Sequence, residues 1–182
     1  DFLNYAKRNM WQVSGVEPNE KARLKAAEKG IFLKAGIDEF KDSSFDVITL
    51  FHVLEHLPNL NHQITRLNQL LNVGGVLIVA VPNFKSFDAC HYKKYWAAFD
   101  VPRHLWHFSQ SAISKLFSKH NLCVTKTYPM VFDAFYVALL SEKYKHKRQS
   151  YFTAFFIGLW SNLKAWSTGE YSSLIYVIKR TE

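Results

Sequence analysis

The sequence predicts an α/β fold with a mostly parallel sheet. Short, predominantly apolar runs, "FDVITLF" and "VLIVAV", read as buried strands. They alternate with amphipathic stretches of helical period, the pattern of a sheet whose strands are joined by helices. At 182 residues the chain suits one domain with a single core.

The elements follow in order. "DFLNYAKRNM" spaces Phe2, Leu3, Ala6 and Met10 as one helical face, and "WQVSGV" reads as a strand. "PNEKARLKAAEK" is a helix opened by Pro18 and stopped by Gly30. "IFLKAG" and "FDVITLF" are strands, and a helix from about Asn59 carries Leu60, Ile64, Leu67 and Leu71 to Gly74 and Gly75. After "VLIVAV" and Pro82 the pattern loosens. It resumes in "SQSAISKLFSKHN", a helix with Ser109 as N-cap and Ile113, Leu116 and Phe117 inward. The strand "LCVTKTY" follows, and the last strand, "SLIYVIK", comes more than forty residues later.

Composition narrows the function classes. Cys90 and Cys123 form no CxxC and no metal spacing, which argues against a disulfide framework or a zinc site. The longest apolar run, "FTAFFIGLW", has nine residues, about half of what a membrane span needs. Residues 1–90 balance ten Lys/Arg with ten Asp/Glu, whereas residues 91–182 carry thirteen against five. The whole net charge of +8 therefore sits in the second half, which faces whatever is anionic.

Ligands of open parallel sheets bind beyond the carboxyl ends of the strands. Three such ends carry polar or sterically special residues: Glu17, the "GID" around Ile37, and Phe51 with His52. A glutamate closing the second strand of a doubly wound fold can accept hydrogen bonds from both hydroxyls of a ribose. A solvated glutamate favouring the dipole of the following helix is the plainer reading.

"VSGVEPNEKA", "SSFDVITLFHVLEHLPN" and "LLNVGGVLIVAVPN", in that order and spacing, resemble the class I S-adenosylmethionine-dependent methyltransferases. The likeness is to their small-molecule branch, which includes the ubiquinone-pathway O-methyltransferases. It implies a Rossmann-like sheet with helices on both faces and a final antiparallel strand, "SLIYVIK", in one domain over 1–182. It also implies S-adenosylmethionine as cofactor, S-adenosylhomocysteine as product and a cytoplasmic location. Such proteins have a first strand ending in a GxGxG loop, which none of the seven glycines here forms. The chain is therefore expected to open just past that loop.

Residue by residue, the resemblance assigns Glu17 to the ribose, with Pro18 beside it at the helix start. Ile37 would stack on adenine and Asp38 would meet its exocyclic amine. Phe51 and His52 would line the methionine end of the cofactor. His52 and His104 are the candidate catalytic bases, since methyl transfer needs positioning plus a base when the acceptor holds its proton. "HVLEH" is similar to the ExxEH metal motif of ubiquinone-pathway and small-RNA 2′-O-methyltransferases, with His52 in place of the first glutamate. That replacement disfavours Mg²⁺, and no metal site is assigned. In "DVPRHLWHFS", Arg103, His104 and His107 are candidate substrate groups, the guanidinium suiting a carboxylate or phosphate. An Asp100–Arg103 pair that only holds the loop is the structural alternative.

Residues 131–172 form an insertion rich in aromatic side chains, among them Phe132, Phe135, Tyr136, Trp160 and Trp166. A lid or an apolar acceptor pocket would use them, and packing within the insertion would use them equally. "KYKHKR" beside an aromatic helix suits peripheral contact with a membrane, and single-stranded nucleic acid is the lesser alternative. The expected function is methyl transfer to a small or lipid-like acceptor, at oxygen. A binding or scaffold protein that keeps the fold without chemistry is the alternative from another class. An NAD-dependent enzyme would share the acid after the second strand, but has no use for "FHVLEHLPN".

Overall fold

A computed structural model of the chain describes residues 2–148 and 150–181. They form two compact units, Asp1–Ser44 and Phe45–Glu182.

In the first unit, helix α1 (Phe2–Arg8) precedes helix α2 (Glu20–Glu28) and a short 3₁₀ turn, Ile37–Glu39. Met10 was expected on the inward face of α1, but it lies past the helix end with φ +67° and is exposed. Asn19 caps α2 by accepting from Ala22 N at 3.2 Å, so Pro18 stands just outside the helix rather than opening it. "WQVSGV" and "IFLKAG" do not become full strands. They meet in one parallel bridge, Val16 with Lys34, bracketed by Glu17 N→Lys34 O and Lys34 N→Gly15 O, both 2.9 Å. A two-stranded parallel pair is marginal without further strands to share its backbone bonds, and only the rung nearest the turn persists.

The second unit holds the sheet. Its elements are β1 (Phe45–Phe51), α3 (Leu60–Leu70), β2 (Leu71–Pro82), α4 (Phe87–Tyr92), α5 (Gln110–Ser118), β3 (Leu122–Pro129), α6 (Asp133–His146), α7 (Tyr151–Thr168) and β4 (Ser173–Arg180). The strand order is β1-β2-β4-β3, with β1 parallel to β2 and β4 antiparallel to both its neighbours. It follows that β1, β2 and β3 point the same way and β4 alone is reversed, as the last strand was expected to be. The carboxyl ends of β1, β2 and β3 thus share one edge with the start of β4. The register confirms it, pairing Phe51 with Ala80, Pro82 with Ser173 and Pro129 with Leu174.

The core of this sheet is built from the expected faces. Leu60, Ile64, Leu67 and Leu70 of α3 and Ile113 and Phe117 of α5 are buried, together with Leu77 and Val79 of β2 and Tyr176 and Ile178 of β4. Leu71 is buried too, but as the first residue of β2, because α3 ends at Leu70 and the chain extends at once. The glycines therefore lie inside a strand, at an irregularity where the register jumps from Phe45–Leu71 to Val47–Val76. Gly74 takes φ +77° there, and a Cβ on Gly75 would stand 3.1 Å from Phe45 O.

A second core lies among α4, α6 and α7, where Tyr92, Trp96, Val137, Ala138 and Ala154 pack together. Asp88, fully buried, is its polar centre. It accepts from Trp96 Nε1, Ser161 Oγ and Ser172 Oγ, each at 2.7 Å, tying three segments to one carboxylate. Among the described residues no helix is long and apolar enough to cross a membrane.

Candidate functional site at the carboxyl edge of the sheet

At the shared edge, the backbone after β1 bends through His52, whose φ is +53°. His52 N still donates to Ala80 O at 3.0 Å, so the sheet fixes where the turn begins. A 3₁₀ turn, Leu54–His56, then buries Glu55 completely. The loop at 100–109 is fastened to this turn through its backbone: Leu105 N and Trp106 N donate to Glu55 O at 2.8 and 3.3 Å, and Trp106 Nε1 donates to Leu57 O at 2.8 Å. "HVLEH" and "DVPRHLWHFS", some fifty residues apart, become neighbours in this way.

The side chains form a linked set. His52 Nδ1 lies 3.2 Å from Glu55 Oε1, and its Nε2 lies 3.3 Å from Asp133 Oδ2 at the start of α6. Held between two carboxylates, the imidazole is pushed up to about 9; Asp133 contributes most and Glu55 next, against the opposing effect of burial. His52 is therefore a cation at neutral pH, with both ring nitrogens protonated. Burial is the largest influence on Asp133 and pushes it up, but the bonds from His52 and Ser173 and the charge of His52 together hold this carboxyl below its usual value.

His104 is the opposite case. Burial pushes its imidazole below its ordinary value, only partly offset by the bond to Ala98 O. Its Nδ1 donates to Ala98 O at 2.8 Å, which leaves Nε2 as the basic nitrogen, 4.0 Å from Glu55 Oε1 and 3.8 Å from Asp100 Oδ2. His56 Nδ1 likewise donates to Arg103 O at 2.9 Å, and the rings of His56 and His104 meet edge to face at 4.6 Å. Glu55, His56 and His104 each offer one ligand atom, all within 4.8 Å of one another. Two imidazoles and a carboxylate are a donor set for a nitrogen-tolerant divalent ion, and His52 is not part of it.

The remaining residues of this loop are held by the loop itself. Arg103 is 73% exposed and pairs with Asp100 Oδ1 at 2.7 Å. His107 Nε2 donates to Phe99 O at 2.9 Å and its ring stands against Phe99. Phe51, at the end of β1, is 42% exposed. Asn83, after β2, is buried and donates to Glu170 Oε2 and Tyr171 O, locking the approach to β4. Glu55 Oε2, buried at this edge, has no hydrogen-bond partner among the described residues. Sequence reasoning missed Asp133, because an acid opening a helix looks like ordinary helix chemistry. Asn83 stood within the quoted "VPN" and received no role.

In the first unit, Glu17 is half-buried and its Oε1 accepts from Asn19 N at 2.9 Å, while Arg23 Nη1 clasps Glu17 O and Pro18 O at 2.8 and 2.7 Å. Ile37 and Asp38 lie on the 3₁₀ turn, whose loop is closed by Glu39 Oε1 accepting from Ala35 N and Gly36 N, both 2.9 Å. A hollow of about 610 Å³ is lined by residues such as Trp11, Ser14, Ile31 and Leu33, which precede Glu17 and Gly36 and so mark the other end of their segments.

A sheet with three co-directional strands, one reversed strand and polar groups gathered at the carboxyl edge defines a Rossmann-like α/β domain. Residues 1–127 match the methyltransferase domain family, and the chain belongs to it. A ubiquinone biosynthesis O-methyltransferase from Vibrio atlanticus (strain LGP32) is 33% identical over 81 residues, 40% of this chain and 34% of that protein. The aligned stretch thus spans about a third of the length of that curated relative. An S-adenosylmethionine-dependent methyltransferase from Thermotoga maritima superimposes with a TM-score of 0.66 at 19% identity, over 100% of this chain and 76% of that one. A mycolic acid cyclopropane synthase, crystallised with S-adenosylhomocysteine and CTAB, does so with a TM-score of 0.60 at 11% identity, over 93% and 70%. At these identities the structural likeness is one of fold. The resemblance carried by the three motifs, to class I S-adenosylmethionine-dependent methyltransferases, holds.

Proposed function

We propose that this domain transfers a methyl group from S-adenosylmethionine to an oxygen of a small or lipid-like acceptor, in the cytoplasm. The observation that carries the reading is the pairing, at one sheet edge, of a cationic His52 with a His104 kept neutral by burial. Two titratable groups pushed apart by their surroundings are the usual sign of divided acid and base roles.

S-adenosylmethionine supplies an electrophilic methyl group on a positively charged sulfur. In the first unit, Glu17 offers its carboxylate to the ribose hydroxyls, Pro18 sets the entry to α2, and Ile37 and Asp38 meet the adenine. In the second unit, Phe51 and His52 line the methionine end. His104 Nε2 accepts the proton of the acceptor hydroxyl as its oxygen forms the new bond to carbon and the carbon–sulfur bond breaks, releasing S-adenosylhomocysteine. His52, already protonated and with both ring N–H groups held by Glu55 and Asp133, orients the acceptor oxygen through its fixed positive charge rather than taking a proton. Arg103 and His107 border the acceptor, and an acidic group on it would displace Asp100 from Arg103. The orphaned Glu55 Oε2 is an acceptor that a ligand would satisfy. The aromatic insertion serves as a lid, and peripheral contact with a membrane would bring a lipid-like acceptor to the site.

Calorimetric titration of S-adenosylhomocysteine into the intact protein and its Glu17→Ala variant tests the reading. Saturable binding is expected, weakened at least about tenfold in the variant, the worth of a charged hydrogen bond. An intact, folded protein that does not bind would refute the methyltransferase reading. Binding without turnover on any acceptor would favour the scaffold instead.

A further inference from the structure

Helix α7 is built inside out. Its buried positions are Ala154, Gly158, Ser161 and Ala165, the small residues, while Phe152, Phe155, Phe156, Leu159, Trp160 and Trp166 are exposed, four of them by more than half. At about 100° per residue the large side chains fall in one arc roughly 140° wide, opposite the small ones. The small face has a clear purpose, because α7 lies against α6. Gly158 approaches Phe135 so closely that a Cβ would stand 2.7 Å from its ring, and Asn162 Nδ2 donates to Val131 O at 3.0 Å. These contacts also show that the two helices run antiparallel. Among the described residues the large face stays exposed, although the Phe155 ring meets that of Phe135 at 5.7 Å, and an apolar stripe of this kind marks an interaction surface.

Charge identifies the occupant. The end of α6 and the turn into α7 carry Lys143, Lys145, Lys147 and Arg148, all exposed, beside the Phe152 end of the stripe. Lys164 lies over the Trp160 ring at 5.6 Å. Helix α7 has no acidic residue, and Glu142 of α6 is buried with Tyr92 Oη donating to it at 3.0 Å. Aromatic side chains at headgroup depth, flanked by exposed cations, are what an anionic lipid surface attracts. A second copy, itself at +8, is the less favoured partner.

We propose that the exposed face of α7, with the basic end of α6, docks this domain on an anionic membrane surface. The helix lies in the interface without crossing it, and the body of the domain takes the place of the polar face of a free interfacial helix. This surface deepens the peripheral-contact reading above, but it stands or falls apart from methyl transfer, since attachment to lipid needs neither the cofactor nor turnover.

Co-sedimentation of the protein with vesicles of phosphatidylcholine alone, or mixed with phosphatidylglycerol, tests the proposal. Partition onto the mixed vesicles should exceed that onto neutral ones at least about tenfold and fall as salt is raised. A Phe155→Ser/Trp166→Ser variant should lose most of it, and a Lys143→Glu/Lys145→Glu variant should lose the preference for anionic lipid while keeping its thermal transition. Absence of pelleting, equal pelleting on neutral vesicles, or undiminished pelleting of both variants would overturn the proposal. A dimer in sedimentation equilibrium that the Phe155→Ser/Trp166→Ser variant converts to monomer would overturn it in favour of a second copy. The S-adenosylhomocysteine titration, run on the same variants, reports separately on the catalytic reading.

Discussion

Asp133→Asn should change the way stability depends on pH between about 6.5 and 9. In the wild type the His52 imidazole is raised from 6.5 to about 9, so folding favours its charged form. The stabilisation is complete below the unfolded value and is lost as pH rises through the folded one. A displacement of this size corresponds to ~3 kcal/mol at face value. The His52 side chain is 38% exposed, however, and water screening reduces the stability at stake to about 1 kcal/mol. Urea unfolding at intervals of pH, for the wild type and Asp133→Asn, reads the difference directly, because other groups titrate alike in both. The wild type should lose about 1 kcal/mol more than the variant across the window. NMR titration of His52 should show its pKa falling in the variant, since Asp133 is the largest contributor. A wild-type His52 titrating near 6.5, or parallel stability curves for the two proteins, would refute both the bridge and the role of orienting cation built on it.

Asp88→Ala should destabilise by about 3–5 kcal/mol, because three donors at 2.7 Å lose one buried acceptor; chemical denaturation measures it. Gly158→Val should cost about 1–3 kcal/mol in the same assay, since Phe135 backbone as well as side chain lies within 3.0 Å of the new Cβ. Ile64→Ala, at a fully buried position of α3, should cost about 2–5 kcal/mol.

Most of the sheet unit was legible from period and punctuation. Buried runs such as "VLIVAV" have no alternative to the sheet, and Ser109 caps α5 as its position demands, accepting from Ala112 N at 3.3 Å. "WQVSGV" and "IFLKAG" read equally well as strands, yet made only one bridge. Strand length depends on neighbours to share the ladder, which a local pattern does not record. Glycines 74 and 75 signalled a break, but could not say whether it ended a helix or kinked a strand.

The sequence by itself determined the α/β class, the three motifs that place the chain among the methyltransferases, the uneven charge and an aromatic segment with basic neighbours. Those are properties of composition and spacing, which need no partner in space. Only the tertiary structure decided the electrostatics of the site. "HVLEH" gave no reason to prefer a charged His52, and "DVPRHLWHFS" none to prefer a neutral His104. The difference comes from Asp133, eighty-one positions away, and from the burial of one ring beneath a loop. Likewise, the letters of α7 suited a lid, an acceptor pocket or packing within the insertion equally, and only its seating on α6 turned the small residues inward and left the large ones facing out. A side chain's charge and its exposure are set by what the rest of the chain brings within a few ångströms, which sequence order does not encode.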